Sequence, residues 1–390
     1  MTDNNNYDDA ELIWRNKNRS PKFMNESAIE IETIGQPQQG SWTNLLFQGD
    51  NLYSLSKLVT EKFTGLIRLI YIDPPFGIGR DPEYPGHAGN SENRAKAFKD
   101  NWGNQLTPYL NMLYPRIALM KELLAEDGSI YVHLDYHISH YVKIIMDEIF
   151  GRNNLVNQII WQRTGAHNDP KAFGRNYDII LFYQKSEKRL WNDAIKEYDK
   201  THIKRYFRQD PDGRWYRLNN PTGKGYLHHY RDFGSGPMFP PRDRHWSVTQ
   251  QQIDEWIKEN RIVFTSSGYP FVKKYLDELR GKQLQSIWTD LIPPRSSSEI
   301  TGFPTQKPEK LLERIIKAST NPQDIVADFF CGSGTSLVVS EKMGRRWIGC
   351  DLSENAIRIT RKRLLEISNI RPFKIIKVAA QAIKNDYDSF

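Results

Sequence analysis

The stretch LIYIDPPFG, Leu69 to Gly77, decides the fold. Leu69, Ile70, Tyr71 and Ile72 read as a buried strand, and the two prolines that follow end it, because neither can donate to a ladder. In open α/β sheets, ligands bind beyond the carboxyl ends of such strands. Asp73, Pro74, Pro75 and Phe76 fall at that point. The Asp73 carboxylate and the Pro74 carbonyl can accept hydrogen bonds, the proline pair stiffens the turn, and the Phe76 ring offers a stacking face. Together they can grip a planar molecule that carries an amino group.

A second strand-to-turn stretch lies far downstream in DIVADFFCGSGTS, Asp324 to Ser336. The strand ends over Asp328 to Phe330. Gly332 and Gly334, on either side of Ser333 and just after Cys331, let backbone pass close to a ligand, and Thr335 opens the next helix. About twenty residues on, WIGCD ends another strand at Asp351, where a carboxylate can hold both hydroxyls of a ribose. This pattern serves a dinucleotide or S-adenosylmethionine. Three details favour the second. The third glycine of a dinucleotide fingerprint is absent, Asp328 would attract an ammonium or sulfonium but repel a pyrophosphate, and the Phe329–Phe330 pair suits packing against an adenosyl group. An amine grip and a methyl donor in one chain point to methylation of an exocyclic amine. Hydrogen bonds to Asp73 and Pro74 would push the amine nitrogen towards tetrahedral geometry, with its lone pair facing the methyl group.

Bulk properties bound the partners. The chain has 390 residues, enough for one large domain and an insertion. Lys and Arg number 54 against 47 Asp and Glu, a net charge of +7, which favours a polyanionic partner. The two cysteines, Cys331 and Cys350, each fall at a strand end, so a stapling disulfide is not expected and a cytoplasmic, reducing setting is. The opening MTDNNNYDDAELIW has neither a basic nor an apolar segment of a signal peptide, and no run reaches the length of a membrane span.

Along the chain, residues 1–39 read as a polar leader of low order with one short helix. Residues 40–184 form a catalytic half: a short strand NLLFQ, a helix from Asn51, the Asp73 strand, a mobile polar loop over 80–102, a helix from Leu106 to Glu126, the strand SIYVHLD, a helix ending at Gly151 and two more strands. Residues 185–294 interleave aromatic and basic side chains without long periodicity and read as an inserted domain. Residues 295–370 return to strand, turn and helix text, with a helix over Pro304 to Ser319. Residues 371–390 read as a tail that a strand could extend.

DPPF followed later by FCGSGT resembles the β-group of bacterial DNA amino-methyltransferases of restriction-modification type. AFKDNW, YPRIALMKELLAEDGSIYVHLD, MDEIFGRNN, TQKPEKLLERIIKAS and RRWIGCDLS resemble that family's connecting segments, so the likeness covers about Asn44 to Leu365, with the insertion much less similar. It implies an α/β, doubly wound, mostly parallel Rossmann-like methyltransferase sheet, circularly permuted, with the insertion as a target-recognition domain. It further implies transfer of a methyl group from S-adenosylmethionine to N6 of an adenine flipped out of double-stranded DNA. Gly49, Asp50 and Asn51 would line the cofactor's adenine side, and Lys307 and Pro308 would begin a cofactor-capping helix. DPPF leans towards adenine N6, although the family does not divide cleanly on that tetrapeptide.

Rival readings are cytosine N4 methylation, methylation of RNA or of a protein amide (where Asn more often replaces Asp73), and a DNA-reading subunit for a restriction-nuclease partner. One set of motifs gives one active site per chain, and a small recognition domain leaves room for a homodimer. His228, His229 and His245 lack Cys or carboxylate partners at ligand spacing, so no metal is expected. Cys331 lies inside the glycine turn rather than on a Pro-Cys loop, which argues against a cysteine nucleophile. His133 and Asp135 end the YVHLD strand, either as shapers of the base pocket or as a satisfied strand-end pair.

Overall fold

The computed structural model of the protein describes residues 11–18, 26–75, 106–165, 171–225, 227, 229–292, 299 and 301–380. Phe76 and the polar loop over 80–102 lie outside the described residues. The chain divides into two compact units, one of residues 1–193 with 285–390 and one of residues 194–284.

The larger unit is built on a ten-stranded sheet. Its strands are β1 (Glu26–Ile34), β2 (Asn44–Gln48), β3 (Ile67–Ile72), β4 (Leu124–Leu134), β5 (Leu155–Gln162), β6 (Tyr177–Gln184), β7 (Ile287–Trp288), β8 (Ile325–Asp328), β9 (Arg346–Asp351) and β10 (Phe373–Ala380). They lie in the order β1-β10-β2-β9-β8-β3-β4-β6-β5-β7. The run from β10 to β4 is parallel throughout, and β6 turns antiparallel to both β4 and β5.

Helices cover both faces. Side chains alternate across a strand, so Ile70, Ile72 and Val132 join one core with α1 (Asn51–Thr60), α2 (Leu106–Leu123) and α3 (Ser139–Phe150). Leu69, Tyr71 and Tyr131 face the other side, where α4 (Glu309–Ser319) packs through Leu311, Leu312, Ile315 and Ile316. Further along that side, α5 (Thr335–Lys342) and α6 (Glu354–Leu365) close a third core around Leu46, Leu337, Trp347 and Ile357. Among the described residues no helix is long and apolar enough to cross a membrane.

Several expectations needed correction. Part of the polar leader is β1, whose ESAIEIETI pairs antiparallel with β10, and β10 itself turns part of the expected tail into a parallel neighbour of β2. The helix expected from Pro304 begins at Glu309, with Pro308 as its N-cap, because Thr305 takes a left-handed conformation, φ +65°, that interrupts any earlier turn. The helix from Leu106 stops at Leu123, where Leu124 and Ala125 pass into the sheet.

The insertion is shorter than 185–294. Asn192 donates from its amide to the Lys317 and Thr320 carbonyls at 3.0 Å each, and Trp191 stacks on Phe182. On the other flank β7 pairs parallel with β5, and Trp288 and Leu291 are buried in the main unit. Burying a large apolar side chain is worth about 1.5–3 kcal/mol, more than a two-residue strand offers by itself.

The smaller unit carries a four-stranded antiparallel sheet of Ile262–Phe264, Pro270–Tyr275, Trp215–Asn219 and Arg208–Gln209. Phe233, Trp246 and Ile253 make a small separate core. Residues 194–284 hold 17 Lys and Arg against 11 Asp and Glu, so this quarter of the chain carries +6 of the net +7. Tyr230 and Phe239 remain well exposed there and meet edge to face.

Candidate active site

Register gathers the sequence motifs along one edge of the main sheet. Ala327 lies beside Ile70, Asp328 beside Gly349, and Gln48 beside Asp351. The carboxyl ends of β2, β9, β8 and β3 are therefore consecutive, and they carry Asp50 and Asn51, Asp351, Asp328 and Asp73 in that order.

The turn after β8 is held from three directions. Cys331 donates from its backbone to the Cys350 carbonyl at 3.0 Å, and Gly332 N–H donates to Asp351 Oδ2 at 2.8 Å. Gly334 then caps α5 in a left-handed conformation, φ +73°, where a Cβ would lie 2.5 Å from Thr360 Cγ2. Glycine is thus needed at this position for both backbone and space. Arg363, buried on α6, donates to the Ser333 carbonyl at 2.8 Å and to the Thr335 hydroxyl at 2.9 Å, and pairs with Glu309.

Two carboxylates serve this turn. Asp328 is buried, accepts from Phe330 N–H at 3.0 Å and from the Ser336 hydroxyl, and is pushed up to about 7 mainly by burial. Asp351 accepts from Ser353 N–H at 2.8 Å as well as from Gly332, and burial raises it too. Both are held by neutral donors, so the pocket edge is acidic and suited to a cation. Burial also pushes the Cys331 thiol well up, which disfavours a thiolate there. Both cysteines are free. Of the phenylalanine pair only Phe330 is partly accessible, since Phe329 is fully buried in the core, so the pair does not act as one packing surface.

At the end of β2, Gly49 takes φ +138°, and a Cβ there would strike the Val378 carbonyl. Asp50 caps α1 by accepting from Leu52 N–H at 2.9 Å, and Asn51 donates to the Phe329 carbonyl at 2.6 Å. Arg116, nearly buried on α2, bonds both Asp50 and Asn51 and so locks their orientation. Its only signal in the sequence was a cation inside the apolar run LNMLYPRIALM.

At the end of β3, Pro74 is buried and Asp73 is partly so. Lys307, from the segment before α4, bonds Asp73 Oδ2. The structure thus sets Lys307 against Asp73. Beneath them the Tyr71 hydroxyl meets His133 Nδ1 at 2.9 Å, and His133 Nε2 meets Asp178 Oδ2 at 3.1 Å, all buried. His133 and Asp135 are therefore not partners. Asp135 instead bonds the backbone N–H of His137 at 2.7 Å and its ring. His133 and its neighbours form a polar column on the face that α4 covers.

Residues 67–362 match the family model described as DNA methylase, the N6/N4 group. The chain is 32% identical over 82% of its length to 69% of the type II methyltransferase M.EcaI of Enterobacter cloacae. It is 28% identical over 92% of its length to 60% of the StyLTI Mod subunit, a type III restriction-modification enzyme component of Salmonella typhimurium. Among solved structures, the M1.HpyAVI–SAM complex superposes with a TM-score of 0.44 at 17% identity, covering 82% of this chain and 98% of that one. The chain belongs to the DNA amino-methylase family of restriction-modification systems.

The donor set along the sheet edge fits S-adenosylmethionine. Asp351 is a fixed acceptor of the kind that ribose hydroxyls need, and Asp328 is a buried acid that a cationic ligand would ionise. Gly334 lets the turn run directly against Thr360, where a Cβ would not fit.

Proposed function

We propose that the protein transfers a methyl group from S-adenosylmethionine to N6 of an adenine in double-stranded DNA. Asp73 Oδ1 carries this reading: it is buried, next to the cofactor turn in the sheet, and bonded to nothing among the described residues. A bare acceptor at the carboxyl end of a central strand is what an exocyclic N–H requires. Bound S-adenosylmethionine supplies an electrophilic methyl group on a sulfonium.

The chain's residues do the rest. Asp351 holds the ribose, with Asp50, Asn51 and Phe330 on the adenine side. Asp328 faces the positive charge of the methionine end, and Cys331, Gly332, Gly334 and Thr335 shape the turn. Asp73 Oδ1 and the Pro74 carbonyl accept from the target amine, which directs its lone pair at the methyl carbon. Asp73 would take the surplus proton of the methylated nitrogen and pass it to water. Phe76 stacks on the flipped base, and Pro75 stiffens the turn.

The smaller unit, with most of the chain's net positive charge, positions the duplex and reads it. Likeness to several type III Mod subunits supports a second reading, in which the chain works with a restriction-nuclease partner. A homodimer would let two such units cover one site, and the cytoplasm supplies both DNA and a reducing setting for the two free thiols.

The test incubates the protein with labelled S-adenosylmethionine and unmethylated genomic DNA, then identifies the modified nucleoside by mass spectrometry. N6-methyladenine that disappears with Asp73→Ala is the expected result. N4-methylcytosine would move the target to cytosine, and label in neither base would remove DNA as the substrate of the chain alone.

A further inference from the structure

Asp73 offers two acceptor oxygens, and the fold treats them differently. Oδ2 takes the Lys307 ammonium, while Oδ1 is buried with no donor among the described residues. A buried acceptor with no donor is costly in a folded protein, and a ligand that donates to it removes that cost. We propose that Lys307 is a positioning residue of methyl transfer: by occupying Oδ2 it fixes the carboxylate and reserves Oδ1 for one N–H of the target amine. This rests on the reading of Asp73 given above and adds a second residue to it.

The segment that carries Lys307 is braced for the task. Its ammonium also donates to the Thr305 carbonyl at 3.3 Å, and its side chain is only 10% exposed. Gln306 donates to the Glu299 carbonyl at 2.6 Å and accepts from the Thr301 hydroxyl at 2.7 Å. The Glu299 carboxylate in turn accepts from Glu309 N–H at 3.0 Å at the start of α4. Thr305 holds a left-handed backbone within this brace, a strained conformation of the sort found where a side chain must be aimed. The buried stem and the tied backbone leave the ammonium little freedom, so the oxygen it takes is fixed in advance.

Charge explains why a cation is needed. Facing Asp73 are Asp328 at the end of β8 and Tyr71 on its own strand, while Asp178 on β6 lies within the field of Lys307. An ammonium placed among these acidic groups offsets their repulsion of the Asp73 carboxylate and holds it at the turn. Lys307 takes Oδ2 and leaves Oδ1 to the amine. Its arrival from a distant part of the chain also ties the Asp73 turn to α4.

Lys307→Met and Lys307→Arg separate this role from direct cofactor binding. Calorimetry would give the cofactor Kd and single-turnover methylation the transfer rate. With Lys307→Met the expected result is a cofactor Kd within about threefold of wild type and a rate lower by about 100-fold. Lys307→Arg, which keeps the charge, should recover at least about tenfold of the loss. Cofactor affinity falling in step with the rate, or a wild-type rate in Lys307→Met, would overturn the proposal. Thermal melts check folding, with Lys307→Gln as the second variant. The Asp73 reading fails separately, by an Asp73→Ala protein that still methylates at the wild-type rate.

Discussion

Asp328→Asn tests the electrostatics of the cofactor turn most directly. In the free protein burial holds Asp328 up at about 7 against an ordinary 3.8, even though a hydroxyl and an N–H bond it. The sign for stability follows from linkage. The folded state keeps this proton more tightly than the unfolded chain, so the contribution is fully present below about pH 4 and is lost as pH rises through 7. The loss is on the order of 4 kcal/mol at full extent. A cationic ligand reverses the balance by favouring the carboxylate. Binding of S-adenosylmethionine below pH 7 should therefore expel a proton, and its Kd should weaken about tenfold between pH 8 and pH 6. Calorimetry in two buffers of different ionisation enthalpy counts that proton: about 0.9 released per cofactor at pH 6 and about 0.1 at pH 8. In Asp328→Asn the Kd should be weaker at pH 8 and flat across this range. A wild-type Kd that does not move between pH 8 and pH 6, or binding without proton release at pH 6, would refute the reasoning.

Gly334→Ala places a methyl group 2.5 Å from Thr360 Cγ2 on a residue with φ +73°, so the turn must shift. The strain should cost about 1–3 kcal/mol in urea unfolding and weaken the cofactor Kd by tenfold or more. A variant with wild-type affinity would show that the turn does not touch the ligand. The charge of the smaller unit should appear as salt dependence of DNA binding. Lys224 and Arg242 are both exposed, and reversing them to Glu should lower the slope of log K against log salt by about 0.9 for each phosphate that is no longer neutralised. Cofactor affinity should stay at its wild-type value. An unchanged slope would take these two side chains off the duplex.

What the sequence disclosed was local. Strand and sharp turn follow each other in LIYIDPP, and strand, turn and helix N-terminus within a dozen residues in DIVADFFCGSGT, so steric and hydrogen-bonding rules place Asp73, Asp328 and Gly334 without tertiary knowledge. The braces were not legible for the opposite reason. Arg116 reaches Asp50 across 66 positions, Arg363 reaches Ser333 across 30, and Lys307 reaches Asp73 across 234. No periodicity reports such pairings. The β1 strand was hidden differently, since the alternation in ESAIEIETI leaves Ile29 and Ile31 exposed and resembles a polar leader by composition. The flanks of the insertion read as part of it because β7 has only two residues.

The strand order also has a consequence for synthesis. Leu69 and Val326 are neighbours in the centre of the sheet although 257 positions separate them. While a ribosome extends the chain at about 5–20 residues per second, β3 exists for roughly a quarter to most of a minute without its β8 partner. During that interval a hydrophobic central strand has one edge open, which is the condition that invites mispairing. The edge strand β1 joins β10 across an even longer separation, so the sheet closes late. Chains cut between β6 and β7 would accordingly be expected to recover a complete sheet only by reassociation of the two pieces, whose strands interleave at β1–β10, β10–β2, β2–β9, β8–β3 and β5–β7.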